Sequence, residues 1–139
     1  MVRRMSLGGA MLVALLTTAC SDEPRRAPTF PVTGKIAYAN KSLEHATIVF
    51  HAIGESDPNV PRPHAKVEAD GTFKLTTYDG GDGAPKGKYK VTIEQWLATP
   101  KSEAPPSNRL PPKFARVESS NITAEVAAAP NTLQTIELK

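Results

Sequence analysis

The chain has 139 residues, a formal net charge of +3, 22% charged residues and one cysteine. That length argues for a single domain, and one cysteine excludes a disulfide framework. Basic residues are scattered beside acids and prolines, which leaves no nucleic-acid footprint.

The first stretch, MVRRMSLGGAMLVALLTTAC, has the layout of an export signal. Arg3 and Arg4 make a positive start, and Leu7 to Leu16 is apolar. That run is short for a membrane-spanning helix, which needs about 20 residues. TTAC at 17–20 ends in Cys20 and resembles a bacterial lipobox, in which the cysteine is lipidated and becomes the first residue. Thr17 stands where that pattern prefers leucine. Ordinary cleavage with Cys20 left free is the alternative, and an N-terminal transmembrane anchor is a weaker one. Losing residues 1–19 removes two of the 17 basic residues and none of the 14 acidic ones, so the mature chain is close to neutral. SDEPRRAPTFP, 21–31, is charged and carries three prolines, which predicts an extended tether.

From residue 32 onward the hydrophobic period is two. VTGKIAY places Val32, Ile36 and Tyr38 on one face, and ANKSLEH reads as a turn. In HATIVFHA, Ala46, Ile48 and Phe50 face inward, while His45, Thr47, Val49 and His51 face out. A loop of turn formers, 54–63, leads to a short strand through Val67, and Asp70-Gly71 is a hairpin signal. Phe73 and Leu75 point inward next. After the glycine-rich stretch DGGDGAPKG come Tyr89, Val91 and Ile93 inward, with Lys88, Lys90, Thr92 and Glu94 wet. A proline-rich segment, 97–120, precedes Ile122, Ala124 and Val126, and then Ile136 and Leu138. This predicts seven strands and no helix. Such alternation needs a second sheet to cover the apolar face, so the expected fold is an all-β, seven-stranded antiparallel β-sandwich with residues near 35 and 135 paired.

The strings VTGKIAYANKSLEHATIVFHAIG, EADGTFKLTTYDGGDGAPKGKYKVTI, LPPKF and APNTLQTIELK together resemble one family. It is the small carboxypeptidase-regulatory-like, or transthyretin-like, lipoproteins of Planctomycetes-type bacteria. The resemblance covers nearly all of the chain after the tether. It implies a prealbumin-like Greek-key sandwich, export, and a non-catalytic accessory role. ANKSLEH lacks the glycine and proline of the family's usual NGKPL turn, which implies a different backbone there.

Candidate sites are few. Asp79 and Asp82 offer oxygens to calcium, but the loop lacks EF-hand spacing and a closing glutamate, and Lys86 and Lys88 oppose a cation. The glycines more simply permit a sharp corner, with the aspartates capping local amides and Tyr89 anchoring the next strand. Phosphate fits poorly because no helix start follows. His45 and His51 are roughly 20 Å apart at about 3.4 Å per residue, so they cannot share a metal. No serine sits in a GxSxG elbow, no carboxylate pair is evident, and the ending IELK lacks the YRGS-type tetrapeptide of hydroxyisourate hydrolase. The candidate binding patch is Trp96, Arg109 and Phe114, on a long proline-rich loop; the alternative is that Trp96 and Phe114 tuck that loop onto the sheet edge and shield it.

The domains expected are therefore a signal peptide 1–19, a lipidated Cys20 with tether 20–31, and a sandwich 32–139. No cofactor, metal or nucleic acid is expected. The expected function is a non-catalytic accessory or binding module on the bacterial cell envelope. It is held to the membrane by lipid on Cys20, outside the cytoplasm, on the outer-membrane or periplasmic side, and meets an envelope protein or a glycan. A purely structural envelope lipoprotein is the alternative, and a hydrolase on the same fold is a distant third.

Overall fold

The computed structural model describes residues 26–139. The expected signal peptide, Cys20 and the first part of the tether lie outside those residues. The strands, in chain order, are β1 Thr29–Phe30, β2 Val32–Tyr38, β3 Lys41–Ser42, β4 Thr47–Ala52, β5 His64–Lys66, β6 Thr72–Lys74 and β7 Ala84–Pro85. They continue with β8 Gly87–Glu94, β9 Trp96–Leu97, β10 Ser107–Asn108, β11 Thr123–Val126, β12 Asn131–Thr132 and β13 Ile136–Leu138. One 3-10 turn, Pro112–Phe114, interrupts the β pattern.

One sheet runs β11-β8-β4-β5, and every pair in it is antiparallel. The other is built around β2, whose seven residues pair with four short segments. β3 and β6 lie antiparallel along β2, whereas β12 and β13 run parallel to it. The alternating positions of both sheets supply one apolar core. Val32, Ile36, Ile48, Phe50, Leu75, Val91, Ile93 and Val126 are its largest fully buried side chains. The fold is thus β-rich and of the broad β-sandwich class, with a core that follows the period-two reading.

Three features differ from the expected seven-stranded antiparallel sheet pair. The predicted strands break into shorter segments, as where Gln95 separates β8 from β9 and the pairing partner changes from β4 to β10. The pairing near residues 35 and 135 exists, with Ile136 opposite Ile36, but it is parallel. The reason is a crossover: β11 ends in one sheet, and the chain crosses at 127–130 and enters the other beside β2 in the same direction. Thr92, expected wet, is buried, because His51 on the neighbouring strand closes over it with Nε2 2.8 Å from Thr92 Oγ1.

The turns follow local chemistry. Ala39 and Asn40 both adopt positive φ, 50° and 62°, joining Tyr38 to Lys41. That is the two-residue hairpin geometry whose twist matches its strands. At Asp70-Gly71 the carboxylate of Asp70 accepts from the Thr72 amide and hydroxyl at 2.9 and 2.6 Å. These hydrogen bonds hold its carboxyl below the usual aspartate range. The chain reverses there, but its two arms feed different sheets and meet again only at His64 and Thr76.

Candidate functional site

The glycine-rich corner is closed by its own side chains. Asp82 accepts from the backbone N–H groups of Thr77, Tyr78 and Asp79 at 2.7, 3.1 and 3.2 Å. Partial burial pushes its carboxyl upward, but the amides of Thr77, Asp79 and Tyr78 outweigh that and hold it low. Both Asp82 oxygens are engaged in this way. The Thr77 hydroxyl donates to Gly83 O, and the Gly81 amide donates to Thr76 Oγ1. Tyr89 then anchors the next strand, with its hydroxyl donating to Pro85 O at 2.6 Å. Burial raises that phenol's pKa. The Asp79 carboxylate pairs with Arg26 at 2.9 Å. The two aspartates considered as calcium ligands thus serve different partners. Among the described residues no three His, Cys, Asp or Glu side chains converge as a metal site would require.

A strap from the N-terminal side lies over this corner. The Arg26 guanidinium sits 5.3 Å from the Tyr78 ring centroid, and the Ala27 amide donates to the Tyr78 hydroxyl at 3.1 Å. β1 pairs with β7, Phe30 opposite Ala84. Part of the segment expected as free tether, residues 26–30, is therefore clamped to the domain. Sequence reading missed it because Thr29 and Phe30 form only a two-residue strand, too short to show a period.

Beside the strap opens a cleft of about 650 Å³. Its walls come from the end of β4 and the following loop (His51, Ile53, Val60, Arg62), the start of β8 (Tyr89, Lys90), and Ala27 and Tyr78. Ile53 is 58% exposed and Val60 39% exposed. With Trp96 these are the exposed large hydrophobic side chains among the described residues. Arg62, Lys86 and Lys90 line the cleft, as do Glu55, Asp57 and Glu118, so its charge is balanced. The pKa of His51 is lowered, first by burial and then by Arg62, with Glu118 opposing. The three histidines have separate local partners: His45 meets Glu44, His51 meets Thr92, and His64 meets the Arg62 carbonyl.

The fold buries one member of the predicted patch, Phe114, and leaves Trp96 exposed. Segment 97–120 is not structureless. β9 and β10 pair as a ribbon, Trp96 opposite Asn108, and the chain then turns inward. Leu110 and Phe114 enter the core, and Phe114 packs edge-on against Tyr38 at 6.3 Å between ring centroids. Phe114 is 3% exposed, so its ring is withheld from any partner. Arg109 stands opposite Gln95, one register position from Trp96, and donates to Thr99 Oγ1 at 2.9 Å. Trp96 itself is 57% exposed, with Nε1 donating to Glu94 at 3.1 Å. From Tyr89 at the cleft to Trp96 the chain advances seven residues, roughly 24 Å. The two exposed apolar surfaces thus occupy opposite ends of the long strand.

No protein-family model matches this chain, and neither does any curated protein. Among solved structures it is similar to a DUF3823 family protein from Parabacteroides merdae, at 13% identity and a TM-score of 0.41. The likeness covers 81% of this chain and 46% of that one. It is also similar to a 9R-lipoxygenase from Cyanothece, at 14% identity and a TM-score of 0.40, covering 84% of this chain and 18% of that one. The chain spans under half the length of the first and under a fifth of the second. At these TM-scores neither likeness carries an argument about fold detail or function.

Proposed function

We propose that this chain is a non-catalytic accessory or binding module of a bacterial envelope, anchored by lipid on Cys20 and meeting an envelope protein or glycan through Trp96. The observation that carries the reading is the exposure of Trp96 on a paired ribbon. An indole held by Glu94 presents a large amphipathic surface at low entropic cost, the kind of residue that dominates contact energies. Arg109 and Phe114 support it indirectly, by bracing the ribbon and by packing its return into the core. The dispersal of the histidines and carboxylates is compatible with a non-catalytic role. The domain division at 1–19, 20–31 and 32–139, the transthyretin-like topology, and the location outside the cytoplasm are parts of the same proposal. They rest on the lipobox-like TTAC and on the sequence strings that resemble that family.

A pull-down from detergent-solubilised envelope with the native chain and Trp96→Ala tests the contact surface. Partners lost only in the variant are the expected result. Equal recovery with both chains removes the patch and leaves a purely structural envelope role. The anchor is tested separately: a Cys20→Ser chain is expected to leave the membrane fraction, and its retention there defeats lipidation.

A further inference from the structure

We propose that the cleft rim at Ile53 and Val60 is a lipid-docking surface that seats the domain on the bilayer with Trp96 pointing away from it. The inference rests on the anchor reading above. It is carried by where the chain enters the domain. Arg26 and Ala27 are clamped to Tyr78 and Asp79, and Ala27 lines the cleft itself. Cys20 precedes Arg26 by six residues, a span of about 22 Å at full extension. A lipid on Cys20 therefore keeps the cleft end within that distance of the headgroups, while the ribbon end is free to stand further out.

The chemistry of the rim fits a bilayer interface. Ile53 lies in the turn after β4, and Val60 seven residues on in a proline-containing loop. Both are exposed, although among the described residues the other large aliphatic side chains are buried wholly or in part. Two exposed aliphatic side chains on the segment between β4 and β5 can enter the acyl boundary, and the anchor supplies the second signal that stable membrane contact needs. The three cations of the cleft are balanced by three carboxylates. Two of those acids are engaged locally, with Glu55 accepting from the Asp57 amide and Asp57 from Asn59. Docking thus rests on apolar insertion rather than on headgroup charge. It is expected on zwitterionic phosphatidylcholine, with little change on adding anionic lipid or salt.

The chain from Cys20 to Lys139 has one cysteine and one tryptophan, which makes the test direct. It is coupled through Cys20 to a maleimide lipid in phosphatidylcholine vesicles, so the anchor is present whether or not a cell supplies it. Trp96 is expected to remain open to iodide and unquenched by lipids brominated near the headgroup. In an Ile53→Trp/Trp96→Phe chain the emission is expected to shift to the blue on attachment and to be lost to the brominated lipids. Hydrogen exchange provides a check without a new tryptophan: residues 52–63 of the native chain gain protection on attachment, and an Ile53→Asp/Val60→Asp chain does not. Quenching of Trp96 by the brominated lipids, or unchanged exchange at 52–63, overturns the docking proposal. So does protection of 52–63 by an envelope protein without vesicles, which assigns the rim to a protein partner. Because coupling is chemical, failure of lipidation in cells would defeat the anchor reading alone.

Discussion

At Gly83 the backbone has φ of 92°, and an added Cβ would overlap the Phe30 carbonyl of the strap. Both the left-handed conformation and the close approach demand glycine. Gly83→Ala is expected to destabilise the fold by more than about 2 kcal/mol in urea unfolding. Asp82 works through hydrogen bonds to three backbone amides. Asp82→Asn is expected to cost about 1–2 kcal/mol, because it weakens three charge-assisted bonds to backbone amides. The pH dependence follows from the direction of the shift. The folded-state pKa is lowered, so the unfolded chain takes up the proton first as pH falls. The stability Asp82 supplies is complete above the ordinary aspartate range, near about 3.9, and is lost as pH falls through the lower folded value. Acid unfolding of the Asn variant is expected to show a shallower fall in that window, measured by circular dichroism at fixed urea.

Among the elements, the strap and the inward turn of segment 109–114 decide most. The strap is held by an exposed ion pair, a cation–π contact and a two-residue ladder. Exposed pairs are weak. Arg26→Ala is therefore expected to speed amide exchange in β1 about 2–5-fold while leaving the global unfolding midpoint almost unchanged. The segment 109–114 is the opposite case. Phe114 fills space between Tyr38 and β8, so Phe114→Ala is expected to cost about 3–5 kcal/mol in urea unfolding. In sequence a loop of that composition leaves two readings open, a binding segment or a loop tucked onto the sheet by its aromatics, and Phe114 follows the second. The loop's prolines stiffen a return path that plugs the core.

Over the whole molecule, the long strand β8 separates two surfaces with different consequences. Trp96 makes little packing contact, so Trp96→Ala is expected to change stability by less than about 0.5 kcal/mol while removing partner recovery. That pairing of results distinguishes a contact residue from a structural one. The cleft end carries the strap, the glycine corner and the exposed loop together. The chain thus enters the domain at the cleft end, through a strap clamped to the glycine corner.

What the amino-acid order determined by itself was the β character, the inward set and the turn chemistry. Ile48, Phe50, Val91 and Ile93 were legible because a pleated strand alternates its faces and water sorts the residues accordingly. The glycine corner was legible because positive φ and amide capping are local demands. Tertiary structure alone decided the parallel pairing of β12 and β13, the burial of Thr92, the withdrawal of Phe114 into the core while Trp96 stays exposed, and the clamping of 26–30. Each depends on which distant segment arrives alongside, and spacing along one strand carries no record of its neighbour across the sheet.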